Sequence, residues 1–163
     1  MPIEIQLTPA ISDILDDAVR AELYASHLYR HVANQLQRLG YFGAQKFFLR
    51  ESQDELGHYQ RHVDYVNDRG GVASTPPLPR AADDVASLRD ALQLAYDTEL
   101  ALQNDYAQWF GLVDVITQQH LLQFIEIQRK SVGEYGDLLA RLDRVEGDAC
   151  GVLLIDQEMG ETD

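Results

Sequence analysis

Long stretches of helical periodicity alternate along this chain with short runs of glycine, proline and small polar residues. Apolar side chains recur at spacings of three and four, which lines them up along one stripe of an α-helix. Thr8-Pro9 supplies a helix start, with Thr8 as cap and proline in the first turn, and no breaker follows until Gly40. The spacing therefore predicts a first helix at about 9–39 and a second at about 42–69, stopped by Gly70-Gly71. A third is expected at about 85–110, capped near Asp84 or Ser87, and a fourth at about 113–144 after a turn at Gly111. Gly147 precedes a short last helix at about 149–159, and no segment carries a strand signal. The class is all-α.

Helices of this length would run roughly 40 Å at 1.5 Å per residue and must pack side by side. The first pair is joined tightly, as is the second pair. Between them lies GVASTPPLPRAADD, with Pro76, Pro77 and Pro79. A loop this long needs distance to cover, so the chain reads as two hairpins joined by one crossover along a four-helix bundle.

Each apolar stripe is interrupted by a polar residue. In the third helix Leu88, Leu92, Ala95, Leu102, Tyr106, Trp109 and Val113 share one face, and the slot between Ala95 and Leu102 holds Glu99. The first helix carries Glu22 within Leu15, Val19, Ala25 or Ser26, Tyr29, Val32 and Leu36. In the second, Glu51, Glu55, His58 and His62 lie between Phe48 and Val63 and Val66. In the fourth, Leu121, Phe124 and Ile125 lead to Gln128 and Ser131 before Val132, Tyr135 and Leu139. A buried, unpartnered carboxylate costs several kcal/mol, so something must compensate these groups. A cation is the economical choice. Glu55 and His58, at i and i+3, project inward from one turn, and a Glu from each of two other helices completes a carboxylate-rich set in which Glu55 can bridge two metals. Oxygen-rich ligation with one imidazole suits iron or manganese better than structural zinc. His27, His31 and His120 lack such support and read as surface or rim residues, while His62 is left open.

Composition narrows the partners. The 163 residues suffice for one domain, 1–163, with a substantial core. Acids outnumber basic residues 27 to 13, giving a formal charge of -14, which argues against nucleic acid and in favour of cations. Cys150 is the only cysteine, so an internal disulfide is excluded. The first ten residues lack a leader's basic and apolar regions, and no apolar run reaches the roughly 18 residues of a membrane helix. A cytoplasmic protein without membrane or nucleic-acid contacts is expected.

The segments AELYASHLYR, ESQDELGHYQ and EIQRKSVGEYGDLL closely resemble ferritins, and the similarity runs over almost the whole chain. The resemblance implies a ferritin-like four-helix bundle with a short fifth helix, GVLLIDQEMGE, at the shell's fourfold contacts. It implies a ferroxidase: Glu22, Glu55 and His58 at a first iron site, Glu99 with bridging Glu55 at a second, Gln128 beside the second and Tyr29 next to the centre. It further implies a hollow shell of 24 subunits that oxidises iron(II) with oxygen or peroxide and stores ferric oxyhydroxide inside.

The chain also departs from that pattern. Ser131 stands where many bacterial ferritins have a glutamate, so the second site resembles the less acidic animal heavy-chain arrangement. A third iron site has only Asp54 as a clear acid, with Lys130 where an acid is often found, and is expected to be absent or altered. Haem is not expected, since the fourth helix lacks a second ExxH and the methionines are Met1 and Met159. The intrasubunit ligand set disfavours a dodecameric mini-ferritin. The alternatives from other classes are a non-storing di-iron oxidase or oxygenase of small oligomeric state and a helical interaction protein with a structural metal.

Overall fold

The computed structural model describes residues 3–81 and 84–161. Its elements run α1 (Pro9–Leu39), α2 (Phe42–Asp68), α3 (Leu88–Phe110), α4 (Val115–Arg144) and α5 (Ala149–Glu161), and no strand occurs among the described residues. Thr8 caps α1 by accepting from Ile11 N, and Gly40 closes it in the left-handed region at φ 85°. Two expected starts move. Residues 84–86 stay outside any helix, so Ser87 and not Asp84 caps α3, accepting from Asp90 N. Asp114 caps α4 by accepting from Thr117 N, which sets its start at Val115 and not at 113. The second helix stops at Asp68, one residue early, and the fifth extends to Glu161.

The crossover can be followed by its anchors. Gly71 begins it beside Leu7 and Val66 at one end of the bundle. Midway, Tyr24 donates to the Ala81 carbonyl at 2.5 Å, and at the far end Arg38 donates to the Val85 carbonyl at 3.2 Å. The loop thus travels the length of α1 and delivers α3 against α1, running in the same direction as α2. α1 packs along α2, α3 along α4, and α5 against the start of α2.

Apolar packing is split along the bundle. One cluster, including Tyr29, Phe48, Leu92, Tyr135 and the α5 residues Ile155 and Met159, fills the α5 end. Leu102, Tyr106, Leu121 and Phe124 form another, and Leu7, Ile11, Leu15 and Val66 a third. Between them the interior is polar. Glu22, Glu55, His62, Glu99 and Gln128 are all buried.

Candidate metal centre

Three side chains from two helices converge in that polar layer. One ligand atom from each of Glu22, Glu55 and His58 lies within 4.8 Å of the other two. His58 Nδ1 stands 3.1 Å from Glu55 Oε2 and 3.6 Å from Glu22 Oε2. The helical repeat places Glu55 and His58 on one face of α2, and small residues one turn away let α1 approach. There Ser26 donates to the Ser52 carbonyl at 2.6 Å and Ser52 to the Ser26 carbonyl at 2.7 Å, a reciprocal clip that fixes the spacing of α1 and α2.

The opposite hairpin supplies the other half. Glu99 from α3 accepts from Tyr29 Oη and, at 2.6 Å, from Gln128 Nε2 of α4. Glu22 accepts from Tyr106 Oη. Among the described residues, two buried oxygens, Glu22 Oε2 and Gln128 Oε1, have no hydrogen-bond partner. Buried acceptors are rarely left unpaired, so this pair marks where a cation would find free ligands.

The protonation pattern follows from crowding. Burial raises the Glu55 carboxyl well above the usual range, and the charge of Glu22 adds to the effect. Burial pushes Glu22 upward too, but the nearby Glu55 and His58 outweigh it and hold Glu22 below the usual carboxylate range. Without a cation, two carboxylates this close share a proton. Burial carries Glu99 to about 7 despite the bonds from Tyr29 and Gln128. Glu51, next to the centre and bonded by Tyr135 Oη at 3.2 Å, rises to about 7 through burial and the charges of Glu134, Glu99 and Asp54. An incoming cation would reverse this penalty.

Residues 12–145 match the ferritin-like domain family. The chain belongs to the ferritin family. A probable bacterial non-heme ferritin-like protein of Haemophilus influenzae is 23% identical over 158 residues, 94% of this chain and 96% of that one. A ferritin of Pacifastacus leniusculus is 29% identical over 154 residues, 89% and 84% of the two chains. Among solved structures, the open pore ferritin of Archaeoglobus fulgidus superposes with a TM-score of 0.93 at 20% identity, covering 96% of this chain and 99% of its own. At that identity the superposition speaks for the fold alone.

In this ferritin-family chain, the residues assigned from the resemblance fall into two groups, Glu22 with Glu55 and His58, and Glu99 with Tyr29 and Gln128. Three features escaped that reading. Tyr106 was counted only as an apolar stripe residue, yet its hydroxyl bonds Glu22. His120, expected at the surface or rim, is half-buried and lies 3.0 Å from His62, because α2 and α4 face each other here. Its spacing of four from Phe124 and eight from Gln128 is the signal that would have found it. Finally, Asp54 is not alone, since Glu51 and Glu134 line the same open cavity of about 460 Å³, together with Lys130 and Ser131.

Proposed function

We propose that this chain is a ferroxidase subunit that oxidises iron(II) at an intrasubunit pair of sites and stores the iron(III) as mineral inside a hollow shell of like subunits, 24 by resemblance, in the cytoplasm. The whole chain acts as one unit in this reading. Iron is the substrate. Glu22, Glu55 and His58 hold the first ion, Glu55 bridges to the second, and Glu99 binds the second with Gln128 beside it. Tyr29, bonded to Glu99, orients that carboxylate. The observation that carries the proposal is the meeting of three buried carboxylates, an imidazole and an amide, with two oxygens unpaired, between the apolar clusters of the bundle.

The donor set fits iron, being rich in oxygen, and the ligands arrive at different readiness. The first set is converged already, so iron(II) need only displace the proton shared by Glu22 and Glu55. At the second, both Glu99 oxygens are occupied by Tyr29 and Gln128. Gln128 must turn to present Oε1, so the second ion binds more weakly than the first. The oxidant is dioxygen or peroxide.

The test is anaerobic loading of the metal-free protein with iron(II), then exposure to oxygen, recording absorbance and particle size. Fast oxidation of about two irons per subunit, followed by accumulation of far more in a particle of several hundred kilodaltons, is expected. Saturation at two irons or fewer in a small oligomer would overturn storage and leave a di-iron oxidase.

A further inference from the structure

Among the described residues eleven large apolar side chains are exposed, and six of them gather at the end of the bundle opposite α5. Ile3 and Ile5 come from the segment before α1, Val72 from the start of the crossover, and Leu112, Val115 and Ile116 from the α3–α4 corner. Each is more than half exposed. Arg69 ties the three segments together. Its guanidinium donates to the Gln6 carbonyl at 3.2 Å, to Asp114 Oδ2 at 3.2 Å and to Tyr65 Oη at 2.6 Å, and Gln6 N donates to the Arg69 carbonyl at 3.0 Å. The corner is held as firmly: Asp114 caps α4, Gln118 Nε2 donates to the Phe110 carbonyl at 3.0 Å, and Val113 packs against the cluster of Leu7 and Ile11. The exposed side chains therefore project from a fixed backbone, and Leu122, seven residues after Val115, extends them along α4.

A gathering of exposed apolar side chains marks a binding surface, and charge says what binds there. Segments 3–7, 69–73 and 111–117 carry Glu4, Arg69 and Asp114 as their only charged residues, in a chain with a formal charge of -14. Asp114 is paired with Arg69, so the corner itself is neutral. Copies of so acidic a chain repel one another over most of their surface and approach most easily where acids are missing. A basic partner would gain nothing from a neutral end, and an anionic one would be repelled by the chain around it. The partner that fits is the chain itself, in a closed arrangement of like subunits whose contact has a core poor in charge.

Resting on the reading of a shell of like subunits, we infer that the Arg69 end of the bundle is a contact between copies of this chain, and that the seam it forms is closed to iron(II). Apolar side chains offer a divalent cation no ligands in exchange for its water. Asp114, the one acid of the corner, is engaged by Arg69 at 3.2 Å and by Thr117 N at 2.8 Å. Iron(II) drawn in by the field of the chain passes by another route.

Particle size by light scattering tests the contact. Val115→Glu with Ile116→Glu places two charges on side chains exposed in the single chain, so the circular dichroism should match wild type while the particle falls to smaller oligomers. Leu112→Glu, in the turn before α4, should do the same and serves if the paired change does not fold. A folded variant in a particle of wild-type size overturns the contact and leaves the shell intact. A wild type that stays a single chain overturns both, and its flotation with phosphatidylcholine vesicles would give the patch to a membrane surface instead. Iron(II) uptake tests the closure. Glu4→Gln with Asp114→Asn removes both acids of the three segments and keeps a capping side chain on α4, so uptake within about twofold of wild type is expected. A severalfold loss would show that iron passes here. A wild type that assembles without oxidising iron(II) removes the ferroxidase reading and supports the contact.

Discussion

Glu55 concentrates the tension of the centre, because it faces Glu22 across a distance that admits a cation but not two bare charges. As the proposed shared ligand it should be the least replaceable residue: Glu55→Ala is expected to slow oxidation roughly a hundredfold, whereas His58→Ala weakens mainly first-site binding, by about tenfold. Stopped-flow oxidation and anaerobic iron(II) titration separate the two, and wild-type rates in Glu55→Ala would refute the assignment. Glu51 carries a related penalty that can be read without iron. Its folded-state value of about 7 lies above the ordinary 4.5, so the metal-free fold binds more protons than the unfolded chain between these values. Glu51 therefore disturbs nothing below pH 4.5, and stability is lost as pH rises toward 7, by about 3 kcal/mol in all. Glu51→Gln cannot titrate, so its advantage over wild type should grow across that window and level off above it. Denaturant melts of the metal-free proteins at several pH values check this, and a difference independent of pH would contradict it. The carboxylates themselves were legible in the sequence, because each interrupts an apolar stripe. Tyr106 was not, since a tyrosine in a stripe looks like core until its hydroxyl is traced to Glu22 on another helix.

Helices were legible wherever periodicity alone decides, whereas the starts of α3 and α4 were set by the caps Ser87 and Asp114. Asp84 and Ser87 are both good caps, and the choice fell to Ser87 because Arg38 holds the chain at Val85. The seating of α5 could not be read at all, since it depends on backbone contact between residues over a hundred positions apart. α2 starts with no capping side chain of its own, and Asp156 of α5 fills the role, accepting from Ala44 N at 2.7 Å and Gly43 N at 3.4 Å. A Cβ on Gly43 would sit 1.8 Å from the Asp156 carbonyl oxygen, and one on Gly160 would sit 2.8 Å from Gly43 Cα. Glycine at both positions is what lets the helices touch. Gly43→Ala should therefore unseat α5, at a cost on the order of 2 kcal/mol, while Asp156→Ala removes the cap at about 1 kcal/mol. Limited trypsin digestion should cut Gly43→Ala after Arg144 faster than wild type. Equal protection would show that α5 docks by other contacts, such as Ile155 and Met159 in the core.

At the scale of the molecule, 27 acids against 13 basic residues give the chain a formal charge of -14, and the proposed assembly of like chains would multiply that field. Most of these acids lie outside the centre and cannot bind the oxidised pair, so their effect on iron is through the long-range potential. A potential of this sign raises the local concentration of a divalent cation, and dissolved salt screens it over a Debye length of roughly 10 Å at 0.1 M. Capture of iron(II) and its oxidation once bound should therefore respond differently. Between about 10 mM and 150 mM sodium chloride, the second-order uptake rate at limiting iron should fall severalfold, because encounter is steered. Oxidation of an already loaded centre should stay constant, because its carboxylates Glu22, Glu55 and Glu99 are buried and exchange no counterions with the solvent. Stopped-flow mixing in the two orders, iron last and oxygen last, isolates each step at each salt concentration. Salt-independent capture would mean that the surface acids serve solubility alone, whereas salt-dependent oxidation of the loaded protein would mean that the centre is open to ions in a way its burial does not allow.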